Sequence, residues 1–117
     1  MPDLIAVLST GKGTWGHVNR LIIDGKWDNT FLITNEFGKE NFTAEKKAEF
    51  MVIDSLKPIK ELVIDIESRL KDKLNGEVAL NMISGTGKEH MAILSALLKL
   101  GVGIRLMGLT KDGVEEI

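Results

Sequence analysis

The residues best suited to chemistry lie at 81–91, where an apolar strand runs into small residues, a lysine and a helix (Asn-Met-Ile-Ser-Gly-Thr-Gly-Lys-Glu-His-Met). Backbone N–H groups near Gly85 and Gly87, the positive end of the helix dipole and the Lys88 ammonium can converge on a phosphate there. A second loop at 9–16 (Ser-Thr-Gly-Lys-Gly-Thr-Trp-Gly) follows the first predicted strand. Two such loops in a short chain predict a nucleotide or oligonucleotide binder.

The 84–88 loop differs from the P-loop pattern GxxxxGK[ST]. Met82 stands at the first glycine position and Glu89 follows the lysine, so no hydroxyl is expected to bind magnesium. Thr86 and Glu89 have the spacing of a capping box, which would satisfy the helix amino end internally. Phosphate binding and capping are compatible, and Lys88 is not needed for a cap.

The 9–16 loop contains Gly11-x-Gly13-x-x-Gly16, the GxGxxG pattern of dinucleotide-binding folds. Glu36 lies about 20 residues further on, where a ribose-binding acid is expected in such folds. Glycines in a strand-to-helix turn are also common for steric reasons. The chain is short for two mononucleotide-binding halves with a substrate domain, so this alternative is the weaker one.

Trp15 has two interpretations that the sequence leaves open, stacking on a base or packing into the core. His17 and His90 are the only histidines, and neither has the carboxylate spacing of a metal site. Either histidine could act as a general acid or base beside a bound phosphate. We therefore predict no metal and no resident cofactor.

Hydrophobic runs predict five strands bounded by turns and helices: 4–8, 32–33, 50–53, 78–83 and 104–109. Lys111-Asp-Gly113 is a hairpin signal, so 114–117 is expected to form an antiparallel last strand. Apolar residues from Ile59 to Leu74 repeat every three to four positions between Pro58 and Gly76, which predicts a helix. Residues 37–47 are polar and are expected to form a loop or a short helix.

Residues 91–100 are almost wholly apolar, so this helix is either unusually buried or half of a homodimer interface. Strands and helices alternate throughout, which predicts an α/β, three-layer Rossmann-like domain covering 1–117. It would have a mostly parallel sheet of five or six strands with helices on both faces. Ligands of such sheets bind at the carboxyl ends of the strands, where both glycine-containing loops fall.

Composition narrows the class of protein. The 117 residues are 44% hydrophobic and 27% charged, and the net charge is −2 at pH 7. The chain has no cysteine, which excludes disulfides and thiolate metal sites. Duplex nucleic acid is not an expected partner because there is no dominant basic cluster. No apolar run has the length of a membrane span, so we expect a soluble, cytoplasmic protein.

The two loops together resemble those of the CARF (CRISPR-associated Rossmann fold) domains, which bind cyclic oligoadenylates. The resemblance rests on Ser9 and Thr10 with the glycines after the first strand, and on Ile83-Ser-Gly-Thr86 with Lys88 and Met91 after the fourth. It covers nearly the whole chain, including the antiparallel last strand. The second loop departs from the usual form by one residue, with Gly87 between Thr86 and Lys88.

The resemblance implies a homodimeric sensor in antiviral defence, with one cyclic oligoadenylate across the two-fold axis and a separate effector protein as a further partner. The expected ligand-binding residues are Ser9, Thr10, Gly11, Gly13, Thr14, Trp15, Ser84, Gly85, Thr86, Gly87 and Lys88. Ring cleavage stays open; in a ring nuclease, Lys88 would be catalytic without a metal. The alternatives are a small NAD(P)- or mononucleotide-dependent enzyme and a protein-interaction module without a small ligand.

Overall fold

The computed structural model describes residues 2–9 and 11–117. The strands are β1 (Asp3–Val7), β2 (Thr30–Thr34), β3 (Glu49–Val52), β4 (Glu77–Asn81), β5 (Gly103–Thr110) and β6 (Gly113–Glu116). The α-helices are α1 (Trp15–Asp24), α2 (Glu36–Asn41), α3 (Ile59–Leu70) and α4 (Gly87–Leu100), and a 3-10 turn at Lys12–Thr14 precedes α1.

The six strands form one sheet in the order β3-β2-β1-β4-β5-β6. All neighbouring pairs are parallel except β5 and β6, which are antiparallel. This confirms the predicted α/β, Rossmann-like fold with its antiparallel last strand. The chain runs outward from β1 to β3 and returns with β4 beside β1, so the topological switch point lies between β1 and β4, where ligands of open α/β sheets bind.

The core has two parts, one on each face of the sheet. Ile5 and Val7 of β1 face a cluster with α3 and α4, whereas Leu4 and Ala6 face the cluster formed with α1. Every residue of β1 is buried because successive side chains point to opposite, covered faces. The continuous apolar run in the sequence is therefore explained by helices on both sides.

Helix α3 ends earlier than the hydrophobic pattern indicates. α3 stops at Leu70, short of Gly76, and Asp72 adopts a left-handed backbone with φ of 66°. A helix cannot continue through that conformation, although Leu74 still packs against the core. The polar segment after β2 forms the short helix α2, which Asn35 caps by accepting a hydrogen bond from Gly38 N–H.

One face of α4 is buried and the opposite face is exposed. Ala92, Ile93, Ala96 and Leu97 lie in the core, but Met91 and Leu98 are 66% and 71% exposed. Beside α4, Leu106 of β5 is 48% exposed, because β5 continues into β6 through a hairpin instead of a covering crossover helix. Among the described residues, no helix has the length and apolarity needed to cross a membrane.

Candidate functional site

The two glycine-containing loops meet at the carboxyl ends of β1 and β4. These strands are neighbours, with Ala6 paired to Asn81, so their loops leave the sheet side by side. Ser9 N–H donates a hydrogen bond of 2.8 Å to Ser84 Oγ. Ser84 is only 3% exposed, so its hydroxyl joins the loops to each other. The ligand contact predicted for Ser84 stays a prediction.

Gly85 is required by the shape of the second loop. Its φ is 104°, a region that side chains with a Cβ rarely adopt. A Cβ at this position would lie 2.8 Å from Val7 Cγ1 and 3.0 Å from Glu89 Oε1. Gly85 therefore packs against the side chains of Val7 and Glu89 too closely for a residue with a Cβ.

The expected capping box at the start of α4 is present. Thr86 Oγ1 accepts from Glu89 N–H at 3.2 Å, and Glu89 Oε1 accepts from Thr86 N–H at 2.8 Å. Glu89 is 5% exposed, and its other oxygen accepts from Ser55 Oγ at 2.5 Å. The box thus fixes the helix start and also ties it to the loop after β3.

Capping leaves part of the helix amino end available. The first N–H groups of a helix have no intrahelical acceptor. Those of Gly87 and Lys88 make no hydrogen bond to another residue in the described part of the chain. The Lys88 side chain is exposed, and its Nζ donates to Ser55 O at 2.8 Å. Two N–H groups and one ammonium therefore stand together at this end of α4, a combination suited to an anion.

The first loop places aromatic side chains at the same edge. Trp15 Nε1 donates to Ser9 O at 3.0 Å, and the Trp15 ring packs against Phe37 and Phe42 with centroids 5.9 and 5.6 Å away. Lys12 Nζ lies 5.8 Å from the Trp15 ring centroid and 5.5 Å from that of Phe37. Trp15 is thus held in a half-buried aromatic cluster, and stacking of a base on it stays a prediction.

The glycines of the GxGxxG pattern have no steric role in this structure. A Cβ added at Gly11, Gly13 or Gly16 would meet no atom within 4 Å among the described residues. In a dinucleotide fingerprint the third glycine allows the helix to pack closely on the strand, and Gly16 makes no such approach. Glu36, however, begins α2 directly after β2, where a ribose-binding acid would be expected.

Both histidines take part in structural hydrogen bonds. His17 Nε2 accepts from Leu109 N–H at 3.1 Å and lies 3.1 Å from Asn81 Nδ2, which links α1 to β5. Burial lowers the pKa of His17 from its usual 6.5, in agreement with a neutral ring that accepts at Nε2. His90 Nε2 lies 2.8 Å from Ser84 O, where a ring N–H would donate. These contacts position the second loop and α1.

The structure brings most of the predicted site residues to one edge of the sheet. Those of the first loop are Ser9, Gly11, Gly13, Thr14 and Trp15, and those of the second are Ser84, Gly85, Thr86, Gly87 and Lys88. Thr10 lies outside the described residues. Within residues 2–9 and 11–117, no group of three or more His, Asp or Glu side chains could hold a metal ion.

Sequence reasoning missed the contribution of the loop after β3. Asp54 and Ser55 follow a hydrophobic strand, the same signal that identified the other loops, and Ser55 contacts both Lys88 and Glu89. Asp54, Ser55, Glu36 and Phe37 line a groove of about 530 Å³ over the ends of β2 and β3. The candidate site therefore extends along the carboxyl edge of the sheet from β4 across β1 and β2 to β3.

A second hollow, of about 400 Å³, lies at the opposite, amino end of the strands. Two of its polar side chains donate to carbonyl oxygens at the end of α1: Trp27 Nε1 to Leu21 O at 2.8 Å and Lys46 Nζ to Ile23 O at 2.7 Å. Leu21 O also accepts from Gly25 N–H, so the two side-chain contacts tie the surrounding loops to the last turn of α1. We assign this hollow a structural role.

Comparisons with protein-family models and with curated proteins gave no match, so any assignment of function rests on the geometry at the carboxyl edge of the sheet.

Proposed function

We propose that the protein binds a cyclic oligoadenylate or a related nucleotide at the loops after β1 and β4, as a CRISPR-associated sensor of the CARF type. The observation that carries this proposal is the joining of the two loops at the switch point. Ser9 N–H donates a hydrogen bond to Ser84 Oγ, and the N–H groups of Gly87 and Lys88 follow Ser84 along the chain, at the start of α4. The resemblance of both loops to those of CARF domains supplies the ligand class.

Lys88 is the residue proposed to neutralise phosphate. Its ammonium has three donors and gives one to Ser55 O, so two are left for phosphate oxygens. The N–H groups of Gly11, Gly13 and Gly87 would donate to phosphate or ribose, with hydroxyl contacts from the Ser9–Thr10 segment. A charge-assisted contact of this kind contributes about 1.5–3 kcal/mol.

The partner proposed for the exposed face of α4 is a second copy of the chain. Met91 and Leu98 form an apolar stripe on this helix, and Leu106 lies exposed on the adjoining uncovered part of the sheet. Neighbouring exposed apolar residues that form one patch are a feature of interaction sites. A two-fold axis beside α4 would bring the second loops of both protomers to one ring. We propose that a separate effector protein responds to the ligand-bound form of this protein.

Ring cleavage is a further part of the proposal and needs no metal. The ribose 2′-oxygen attacks phosphorus in line with the 5′-oxygen, which leaves and gives a 2′,3′-cyclic phosphate and a 5′-hydroxyl. Solvent water takes the 2′-hydroxyl proton and supplies one to the leaving 5′-oxygen. Lys88 and the loop N–H groups would stabilise the charge that develops on the phosphate.

A small dinucleotide-dependent enzyme is the second candidate. The strand order and the position of Glu36 after β2 favour it, whereas the open surroundings of Gly16 do not. This candidate predicts that NAD binds and that Gly13→Val prevents its binding. A protein-interaction module predicts that neither NAD nor a cyclic oligoadenylate binds while the protein still self-associates.

Isothermal titration with cyclic tetra-adenylate and cyclic hexa-adenylate tests the proposal. We expect saturable binding of one ring per two chains, and a weakening of about 10-fold or more in Lys88→Ala. Lys26→Ala is the control, since Lys26 is exposed at the amino end of the strands, remote from both loops and from the exposed face of α4. Chromatography of the titrated mixture shows whether the ring is opened. Binding that is unchanged in Lys88→Ala would overturn the role given to this residue.

Light scattering tests the dimer separately. Leu98→Glu is expected to give monomers, because it places a charge in the apolar stripe. Leu56→Glu is the control, since Leu56 is 91% exposed in the loop after β3 and away from that stripe. A wild-type protein that is monomeric with and without the ring would exclude the dimer.

A further inference from the structure

We propose that the groove over the carboxyl ends of β2 and β3 is a base subsite that selects adenine through its amino group. The inference rests on the proposed nucleotide-binding function and adds the residues that recognise the base. Glu36, Phe37 and Asp54 are assigned this role. The groove, at about 530 Å³, falls within the size range of small-molecule sites.

The groove adjoins the proposed phosphate position. Ser55 lines the groove, and its carbonyl oxygen is 2.8 Å from Lys88 Nζ. At its other side Phe37 lines the groove and also packs on Trp15, which is bonded to Ser9. Both proposed phosphate-binding loops therefore border this groove through a direct contact. A nucleotide with phosphate at Lys88 would direct its base along the edge towards β2 and β3.

Phe37 supplies an aromatic surface for the base. Its side chain is 38% exposed, and the ring packs against Trp15 at a centroid distance of 5.9 Å. Lys12 Nζ lies 5.5 Å from the Phe37 centroid, within the range of a cation–π interaction. Stacking of a base on an aromatic side chain contributes about 1–3 kcal/mol.

The charges of the groove favour a neutral group rich in hydrogen-bond donors. Within the groove lining, Asp65 and Arg69 are paired at 3.1 Å, which leaves the Glu36 and Asp54 carboxylates and the Lys57 ammonium. The Lys12 and Lys88 ammonium groups lie at the borders of the groove, so phosphate is expected at a border and a hydrogen-bond donor beside the two carboxylates. Asp54 Oδ1 accepts from Leu56 N–H, and a carboxylate has further lone pairs for a ligand.

Carboxylates accept hydrogen bonds but do not donate them, so they favour a base that presents an amino group. Adenine presents one, whose N–H bonds can be accepted by Glu36 or Asp54. Hypoxanthine presents an oxygen at the same position and keeps only its ring N–H as a donor, so one acceptor would face another. Both carboxylates are exposed, so water can replace the lost partner and the discrimination is expected to be weaker than at a buried site.

The test compares bases on the same protein. Cyclic tetra-adenylate and cyclic tetra-inosinate are titrated by calorimetry, together with AMP and IMP. The proteins are wild type, the double variant Glu36→Gln/Asp54→Asn, Phe37→Leu, and the control Glu40→Gln, which changes an exposed carboxylate of α2 outside the groove lining. Thermal unfolding of each protein checks that the variants are folded.

We expect wild type and the control to bind the adenylate ring about 10-fold or more tightly than the inosinate ring. The double variant should reduce this ratio to about 3-fold or less, since amides can donate to the hypoxanthine oxygen. Phe37→Leu should weaken both rings by about 5-fold or more without changing their ratio. That pattern separates selection by the carboxylates from stacking by the aromatic ring.

The other outcomes separate the base subsite from the nucleotide-binding proposal. Rings that bind equally well with either base, and equally well to every variant, would overturn the base subsite and leave the proposed function standing. Rings that fail to bind while AMP binds more tightly than IMP, with the preference lost in the double variant, would support the base subsite and remove the cyclic ligand. Binding of none of these probes would overturn both.

Discussion

Replacing Gly85 with alanine should destabilise the fold, and the amount can be worked from two features of its position. A φ of 104° is strained for alanine by about 1–3 kcal/mol. The new Cβ would lie 2.8 Å from Val7 Cγ1, well inside the usual carbon–carbon separation, and overpacking of this kind costs about 1–3 kcal/mol. We therefore expect the free energy of unfolding to fall by about 3 kcal/mol.

A loss of that size leaves a folded protein whose stability can be measured. A chain of 117 residues has an unfolding free energy of about 6–18 kcal/mol. From the average unfolding entropy per residue, a loss of about 3 kcal/mol lowers Tm by about 12 °C. Urea titration followed by circular dichroism gives the free energy, and calorimetry gives Tm.

Gly87→Ala is the matched control, two residues away in the same loop-to-helix segment. A Cβ there would meet no atom of the described residues within 4 Å, and the φ of Gly87 lies outside the left-handed region. We expect a change of about 0.5 kcal/mol or less in this control. If Gly85→Ala were as stable as Gly87→Ala, the close approach of Gly85 to Val7 would be wrong.

Three further predictions concern the first turns of α1 and α4. Thr86→Ala should lower the unfolding free energy by about 1 kcal/mol through loss of the cap, and Thr86→Ser should retain most of it; equal urea curves for both variants would contradict the cap. Gly16→Ala should raise the unfolding free energy by up to about 1 kcal/mol, because Gly16 is helical with open space around it; a lower Tm would refute this. The pKa of His17 is lowered in the folded state, so the contribution of His17 to stability is complete above pH 6.5 and is lost as the pH falls. The unfolding free energy of His17→Gln should therefore fall less steeply below pH 6.5 than that of the wild type. Equal slopes for the two proteins would contradict this prediction.

Much of the fold can be predicted from local patterns in the sequence. The apolar runs identify all five parallel strands, and Lys111-Asp-Gly113 identifies the turn into β6. The exposure of Leu106 could not be predicted in this way. Its strand has the apolar pattern of a buried one, but the hairpin takes the place of a crossover helix and leaves that face uncovered. Burial of β5 depends on whether the next element of the chain covers it, and the residues of the strand alone do not carry that information.

Some features of the candidate site can likewise be predicted from local sequence, and others cannot. The sequence predicts the capping box because Thr86 and Glu89 are three residues apart, and local spacing is sufficient for a helix cap. The contacts of Ser55 with Lys88 and Glu89 join residues more than 30 positions apart, so only the packing of α3 beside α4 creates them.

The capping box also bears on why a lysine stands at position 88. Glu89 brings a buried carboxylate to a helix end where anion binding is proposed, and a negative charge there would repel phosphate. Its two oxygens are bonded to Thr86 N–H and Ser55 Oγ, so the carboxylate is held within the protein by the same contacts that shape the loop. Lys88 adds a positive charge at the solvent side of this end. Because the cap consumes the N–H groups of Thr86 and Glu89 and leaves those of Gly87 and Lys88, a stable helix start and an anion site do not compete for the same donors.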